Sequence, residues 1–239
     1  MNVELLRVAA QRNEVAVLYY EPRRSRNVTL VAGHGYSSSK HNLDFLCSFL
    51  AGHGFGVYSI DFPGHKLGAS GGTLRDVEDC IDALSAVVAY ARGENPAPIY
   101  TLGHSMGAMT ALMTASLDPQ IAGAVAIATG YGRPTALKAL QNLGATDFRA
   151  SYVVGVALPE LVEGIDVRYD RLLPALAGRP TLYVAASRDG MVSPASVAEL
   201  FERAPEPKTL VTIDSDHTSA GENARSEVLT WLNRLHPRT

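Results

Sequence analysis

Ser105 has the clearest chemical setting in this sequence. It lies in Gly103-His104-Ser105-Met106-Gly107. A serine hydroxyl is a weak nucleophile until the backbone holds it on a sharp turn beside a general base. Gly-x-Ser-x-Gly builds that turn: the serine takes a strained conformation, and the glycines leave room where a strand and a helix crowd together. The chemistry such a serine performs is attack on an acyl carbon. Before it, Ala97-Pro98-Ile99-Tyr100-Thr101-Leu102 reads as a buried strand. After it, Met106 to Leu117 is rich in Ala, Met and Leu and free of proline until Pro119, which reads as a buried helix. A second run of the same spacing, Gly68-Ala69-Ser70-Gly71-Gly72, follows Gly64-His65-Lys66-Leu67 with no strand leading into it. Behind it, Thr73-Leu74-Arg75-Asp76 reads as a capping box opening the next helix. Ser105 is therefore read as the nucleophile and Ser70 as a loop residue.

Such a nucleophile needs a histidine base, and the histidine needs a carboxylate to fix its tautomer and stabilise its charged form. Of the seven histidines, His34 and His104 lie inside turn motifs, and His53 and His236 sit at expected helix ends. His217 stands in Asp214-Ser215-Asp216-His217-Thr218, directly after the last expected strand. Loops beyond strand C-termini carry the chemistry of open α/β sheets, so His217 is the expected base. Asp189 follows the preceding strand and is itself followed by Gly190, which makes it the expected acid. Asp214 and Asp216 are rivals by proximity, but neighbours in one loop rarely present side chains face to face. The order Ser105, Asp189, His217 is the order of α/β-hydrolases.

Attack on an acyl carbon creates an oxyanion, which preorganised N–H groups must stabilise. The backbone N–H of Met106, at the start of the helix after Ser105, is one expected donor. The other is the N–H of Tyr36, in Ala32-Gly33-His34-Gly35-Tyr36-Ser37 after the third strand.

Taken together, His34-Gly35 after a strand, the run around Ser105, Asp189 and His217 resemble the α/β-hydrolase superfamily over nearly the whole chain. Asp61-Phe62-Pro63-Gly64-His65 through Ser70-Gly71-Gly72 resembles the Asp-x-x-Gly-His-Gly-x-Ser-x-Gly loop of monoacylglycerol-lipase-like and cinnamoyl-esterase-like hydrolases. Here Lys66-Leu67-Gly68 follows Gly64-His65, an apparent insertion. The resemblance implies a serine esterase that works through an acyl-enzyme. Thioesterase, amidase and C–C hydrolase activities use the same residues, and a ligand-binding or signalling protein with slow turnover is the contrasting class.

These residues need a sheet to position them. Val3–Val8 and Val15–Tyr20 read as an initial hairpin. Asn27–Ala32, Gly56–Asp61, the strand before Ser105, Ile121–Ala128, Thr181–Ala186 and Lys208–Ile213 read as further strands. Helical patterns at Asn42–His53, Thr73–Arg92, Met106–Leu117, Ser193–Arg203 and Glu222–Leu235 separate most of them. This alternation predicts one α/β domain over residues 1–239, with a mostly parallel eight-stranded sheet and helices on both faces. Between Gly130 and Arg179 no clear strand occurs. The apolar positions Leu137, Leu140 and Leu143 and the patch Tyr152–Val156 are read there as a small helical cap, inserted at about 131–178.

Composition narrows the function classes. A hydrophobic content of 46%, a charged content of 19% and a net charge of −3 describe an ordinary globule with no basic surface for nucleic acid or anionic membranes. Cys47 and Cys80 suggest neither a disulfide framework nor a zinc site, and each is expected on the inner face of a helix. No nucleotide-binding glycine loop and no His-Glu-x-x-His helix occurs, so neither cofactor nor catalytic metal is expected. No signal peptide or membrane span is read, which makes the cytoplasm the default location. The expected partner is a small-molecule ester with an apolar acyl or aromatic part.

Overall fold

The computed structural model describes residues 1–133, 136–137 and 150–237. Its eight strands are β1 (Asn2–Ala9), β2 (Glu14–Glu21), β3 (Thr29–Gly33), β4 (Gly56–Ile60), β5 (Ile99–His104), β6 (Gly123–Ile127), β7 (Thr181–Ala186) and β8 (Lys208–Ile213). They form one sheet in the order β1-β2-β4-β3-β5-β6-β7-β8. The first three in that order pair antiparallel, and every later pairing is parallel. The expected α/β architecture is the one observed.

Alternation along the central strands builds two cores. Leu30, Ala32 and Val57 face one side with Leu46, Cys47 and Leu50 of α1 (Asp44–Gly52) and Trp231 and Leu232 near the C-terminus. Val31, Tyr58 and Ile60 face the other, against Cys80, Leu84 and Val87 of α2 (Val77–Glu94) and Met109, Leu112 and Met113 of α3 (Met106–Leu117). Both cysteines are buried in helices, as expected, and burial pushes the Cys47 thiol up to about 12. Helix α3 is buried on nearly all sides, which accounts for a sequence of Ala, Met, Leu and Thr with no polar face. Among the described residues no helix is long and apolar enough to cross a membrane.

Helix α2 does not begin at Thr73. Leu74 is fully buried and extended, its N–H donating to Val154 O and its carbonyl accepting from Val156 N–H. The helix starts three residues later, where the Asp76 carboxylate accepts from Asp79 N–H at 3.0 Å. Long-range pairing has overridden the local capping signal.

That pairing partner belongs to the segment between β6 and β7. Tyr152–Val156 runs between Gly64–Lys66 and Leu74, making bridges at His65–Val153 and Leu74–Gly155. A short helix α4 (Leu158–Leu161) and a longer α5 (Ile165–Leu172) follow. The Lys66-Leu67-Gly68 insertion takes part in this docking: Lys66 N–H donates to Tyr152 O, and its ammonium to Ser151 O. Leu137 is buried in the core on this side, while Leu140 and Leu143 lie outside the described residues.

Candidate active site

Strand β5 ends in a turn that places Ser105 at φ 54°, ψ −114°, a conformation a non-glycine residue holds only under constraint. Ser105 N–H donates to Ile127 O at 2.8 Å, and its carbonyl accepts from the N–H groups of Ala108 and Met109. The flanking glycines allow this by close backbone approach. A Cβ on Gly103 would lie 2.1 Å from the Gly107 carbonyl carbon, and one on Gly107 would lie 2.0 Å from Gly33 O. No side chain fits at either position.

The loops after β7 and β8 bring in the other two groups. They are tied together by Ser187 N–H to Ile213 O and Arg188 N–H to Ser215 O. Asp189 and His217 then meet, with His217 Nδ1 2.7 Å from Asp189 Oδ2 and Nε2 3.0 Å from Ser105 Oγ. The Asp189 carboxylate is fully buried, and its second oxygen accepts from Met191 N–H at 2.8 Å and Val192 N–H at 2.7 Å. Burial alone would push its pKa up. The His217 hydrogen bond, the His217 charge and the two N–H donors outweigh that and hold it below the usual carboxylate range.

The rival carboxylates are engaged elsewhere. Asp214 pairs with Arg188 on the surface at 2.7 Å, and Asp216 accepts from Ser219 N–H at 2.8 Å. Ser70 has no histidine beside it; its hydroxyl donates to Asp61 O and accepts from Ala16 N–H.

His34 and His104 support the site without entering the hydrogen-bonded chain. His104 Nε2–H donates to His217 O at 2.7 Å, holding that residue's backbone. Burial, then the neighbouring His217, push the His104 pKa down to about 4, so it is a neutral donor. His34 donates from Nδ1 to Gly35 O and accepts at Nε2 from Phe62 N–H; burial and His65 push it down to about 3. Asp61, whose carboxylate accepts from the buried Lys40 ammonium and from Lys40 and Ala69 N–H, anchors the loop beneath.

The Gly33–Tyr36 turn lies against Ser105: a Cβ on Gly35 would be 3.4 Å from Ser105 Cβ. Tyr36 lines a cavity of about 190 Å³ with Ser105, His217, Asn42 and Thr218, and its hydroxyl donates to Val156 O at 3.0 Å. Met106 lines a second, smaller slot beside Ser105, of about 10 Å³, with Met109, Leu158, Ile165 and Tyr169. Arg133, which sequence reasoning missed, opens into that slot at 6% exposure. Its only signal was position, a lone cation in the loop after β6. Among the described residues no cluster of metal-ligating side chains is present.

The Hydrolase_4 family model, described as serine aminopeptidase, S33, matches residues 24–168. That is more than half of the chain, and the protein belongs to this family of α/β serine hydrolases. No protein of curated function matches it in sequence. In fold, the chain is similar to Est1E from Butyrivibrio proteoclasticus, solved with ferulic acid bound (TM-score 0.76, 17% identity, covering 96% of this chain and 98% of that one). It is similar to XC6422 from Xanthomonas campestris, an a/b serine hydrolase without lid (TM-score 0.72, 18% identity, covering 100% and 97%). It also resembles the Pyrococcus furiosus esterase Pf2001 (TM-score 0.70, 22% identity, covering 98% and 90%).

Proposed function

We propose that the protein is a carboxylic ester hydrolase in which Ser105 is the nucleophile, His217 the general base and Asp189 the acid that orients it. The observation that carries this reading is the unbroken hydrogen-bonded chain from Asp189 through His217 to Ser105 Oγ. Asp189 accepts from Nδ1–H of His217, which leaves Nε2 unprotonated and aimed at the serine. Ser105 Oγ attacks the ester carbonyl carbon as its proton passes to Nε2. The oxyanion is held by the N–H groups of Tyr36 and Met106. Collapse expels the alkoxide, which takes the proton from His217. Water then gives a proton to His217 and attacks the acyl-enzyme, releasing the acid and restoring Ser105.

The whole chain acts as one domain in this reading, with residues of about 131–178 as a cap over Ser105. Support comes from Leu158, Val162, Ile165 and Tyr169, which wall the slot beside Ser105. The family description raises aminopeptidase activity as the alternative. A free α-ammonium group needs an open carboxylate beside the serine. Among the described residues no carboxylate lines either cavity beside Ser105, and both oxygens of Asp189 are already bonded. An ester fits better. Turnover of p-nitrophenyl esters of graded chain length, beside a thioester and an aminoacyl p-nitroanilide, tests this: esters should lead, and a preference for the anilide would reverse the assignment.

A further inference from the structure

Arg133 is buried beside the slot, and among the described residues it has no ion-pair partner within contact distance. Its Nη1 donates to Met191 O at 2.7 Å. A guanidinium carries five N–H donors and keeps its proton, so most of its bonding capacity is unused. Burying a charge without an ionic partner is costly. Burial already drives the Arg133 pKa down, the direction expected of a cation short of partners. The charge of Asp189 is near enough to help, but its oxygens serve His217, Met191 and Val192.

The position of the slot says which part of a substrate meets this cation. His217 must hand its proton to the leaving oxygen, so the alcohol lies on the His217 side, in the wider cavity with Asn42 and Thr218. The acyl chain is then left the second slot at Ser105, the one lined by Met106, Met109 and Arg133. The walls of that slot are mostly apolar, and the hydroxyls of Thr129 and Tyr169 that also line it bond to each other at 3.1 Å. At about 10 Å³ the slot has room for about one water, so an acyl group enters only as the walls give way, with Met109 the side chain best able to move.

We propose that Arg133 binds a carboxylate at the far end of the acyl group, so that the preferred substrates are monoesters of short dicarboxylic acids; this rests on the ester-hydrolase reading above. Arginine suits the task because its planar fork matches a carboxylate with two parallel hydrogen bonds. The expected apolar acyl part is thereby narrowed to an apolar spacer with an acidic end. Met191, whose carbonyl Arg133 already holds, keeps the guanidinium beside the loop that carries Asp189.

The test compares monoethyl succinate and monoethyl glutarate with ethyl butyrate and ethyl valerate, by proton release, in wild type, Arg133→Gln and Arg133→Lys. Glutamine keeps an N–H for Met191 O but removes the charge. The wild type should favour the monoanionic esters by about tenfold or more in kcat/KM. Arg133→Gln should abolish that ratio, and Arg133→Lys should keep part of it. A wild-type ratio near one, or a ratio untouched by Arg133→Gln, overturns the proposal while leaving the ester hydrolase standing. If no ester of either kind is cleaved, the hydrolase reading fails, and thermal shift then decides the site. Glutarate, but not 1,5-pentanediol, should raise the Tm of the wild type and not of Arg133→Gln; no shift by glutarate overturns the proposal.

Discussion

Gly103–Gly107 and Gly68–Gly72 share one sequence pattern, and their serines end in opposite circumstances. Ser105 sits on a strained turn with its hydroxyl 3.0 Å from an imidazole nitrogen. Ser70 lies in a loop, where its hydroxyl donates to one backbone carbonyl and accepts from one backbone N–H. The first hydroxyl faces a base that can take its proton; the second is used up in holding β2 to the loop after β4. The glycines differ in the same way. Gly103 and Gly107 are required because backbone presses on backbone, whereas Gly68 and Gly72 are crowded by side chains, Asp61 and Asn13, and Gly71 between them has open space and serves only its left-handed φ of 66°. The two serines are therefore told apart by what crowds and faces the turn, not by the letters of the turn.

The largest way to break this contrast is to exchange the serines for alanine. Ser105→Ala should lower ester turnover about a millionfold. Ser70→Ala should leave turnover within a few-fold and cost about 1–2 kcal/mol of stability in urea unfolding. Comparable losses of activity in both would erase the distinction. Next in size, Asp189→Asn should reduce kcat about ten-thousandfold by favouring the wrong histidine tautomer, while the fold persists by circular dichroism. Asp216→Asn should stay near wild type, because Asp216 caps the Ser219 turn. Third, Gly107→Ala should destabilise by about 3 kcal/mol or prevent folding, against about 1 kcal/mol for Gly71→Ala, read from denaturation midpoints.

A smaller effect separates the neutral buried histidines from the one proposed to react. His34 and His104 are held well below their ordinary range, to about 3 and about 4, by burial, and His65 is lowered by the same cause. The unfolded chain binds protons at these groups below about pH 6.5, while the folded protein does not until its own lower values are reached. Stability is thus fully present above about pH 6.5 and is lost on acidification through that window. Urea unfolding between pH 7 and 4.5 should show a slope of about two to three protons, and a flat profile would contradict the burial of these rings as neutral groups.

Ser105, Asp189 and His217 were legible because each stands directly beyond a strand whose apolar run is plain in the sequence. A parallel sheet sends the C-terminal ends of such strands to one edge. The strand count and both outer hairpin strands were legible for the same local reason. What escaped depends on distant chain. Leu74 is extended because Val154 and Val156 pair with it, so Thr73 could not open a helix. Arg133 is buried because Leu158, Val162 and Tyr169 close over the slot it shares with Ser105, and nothing near position 133 encodes that. The hydroxyl of Ser70 bonds to Ala16, 54 residues away.

The role of Ser105 is tested most directly by labelling the native protein with a fluorophosphonate and locating the adduct by peptide mass spectrometry. One stoichiometric adduct on Ser105 is predicted, slowed in Asp189→Asn and absent after acid denaturation. An adduct on Ser70 or another serine, or no adduct on the folded protein, would contradict Ser105 as the nucleophile.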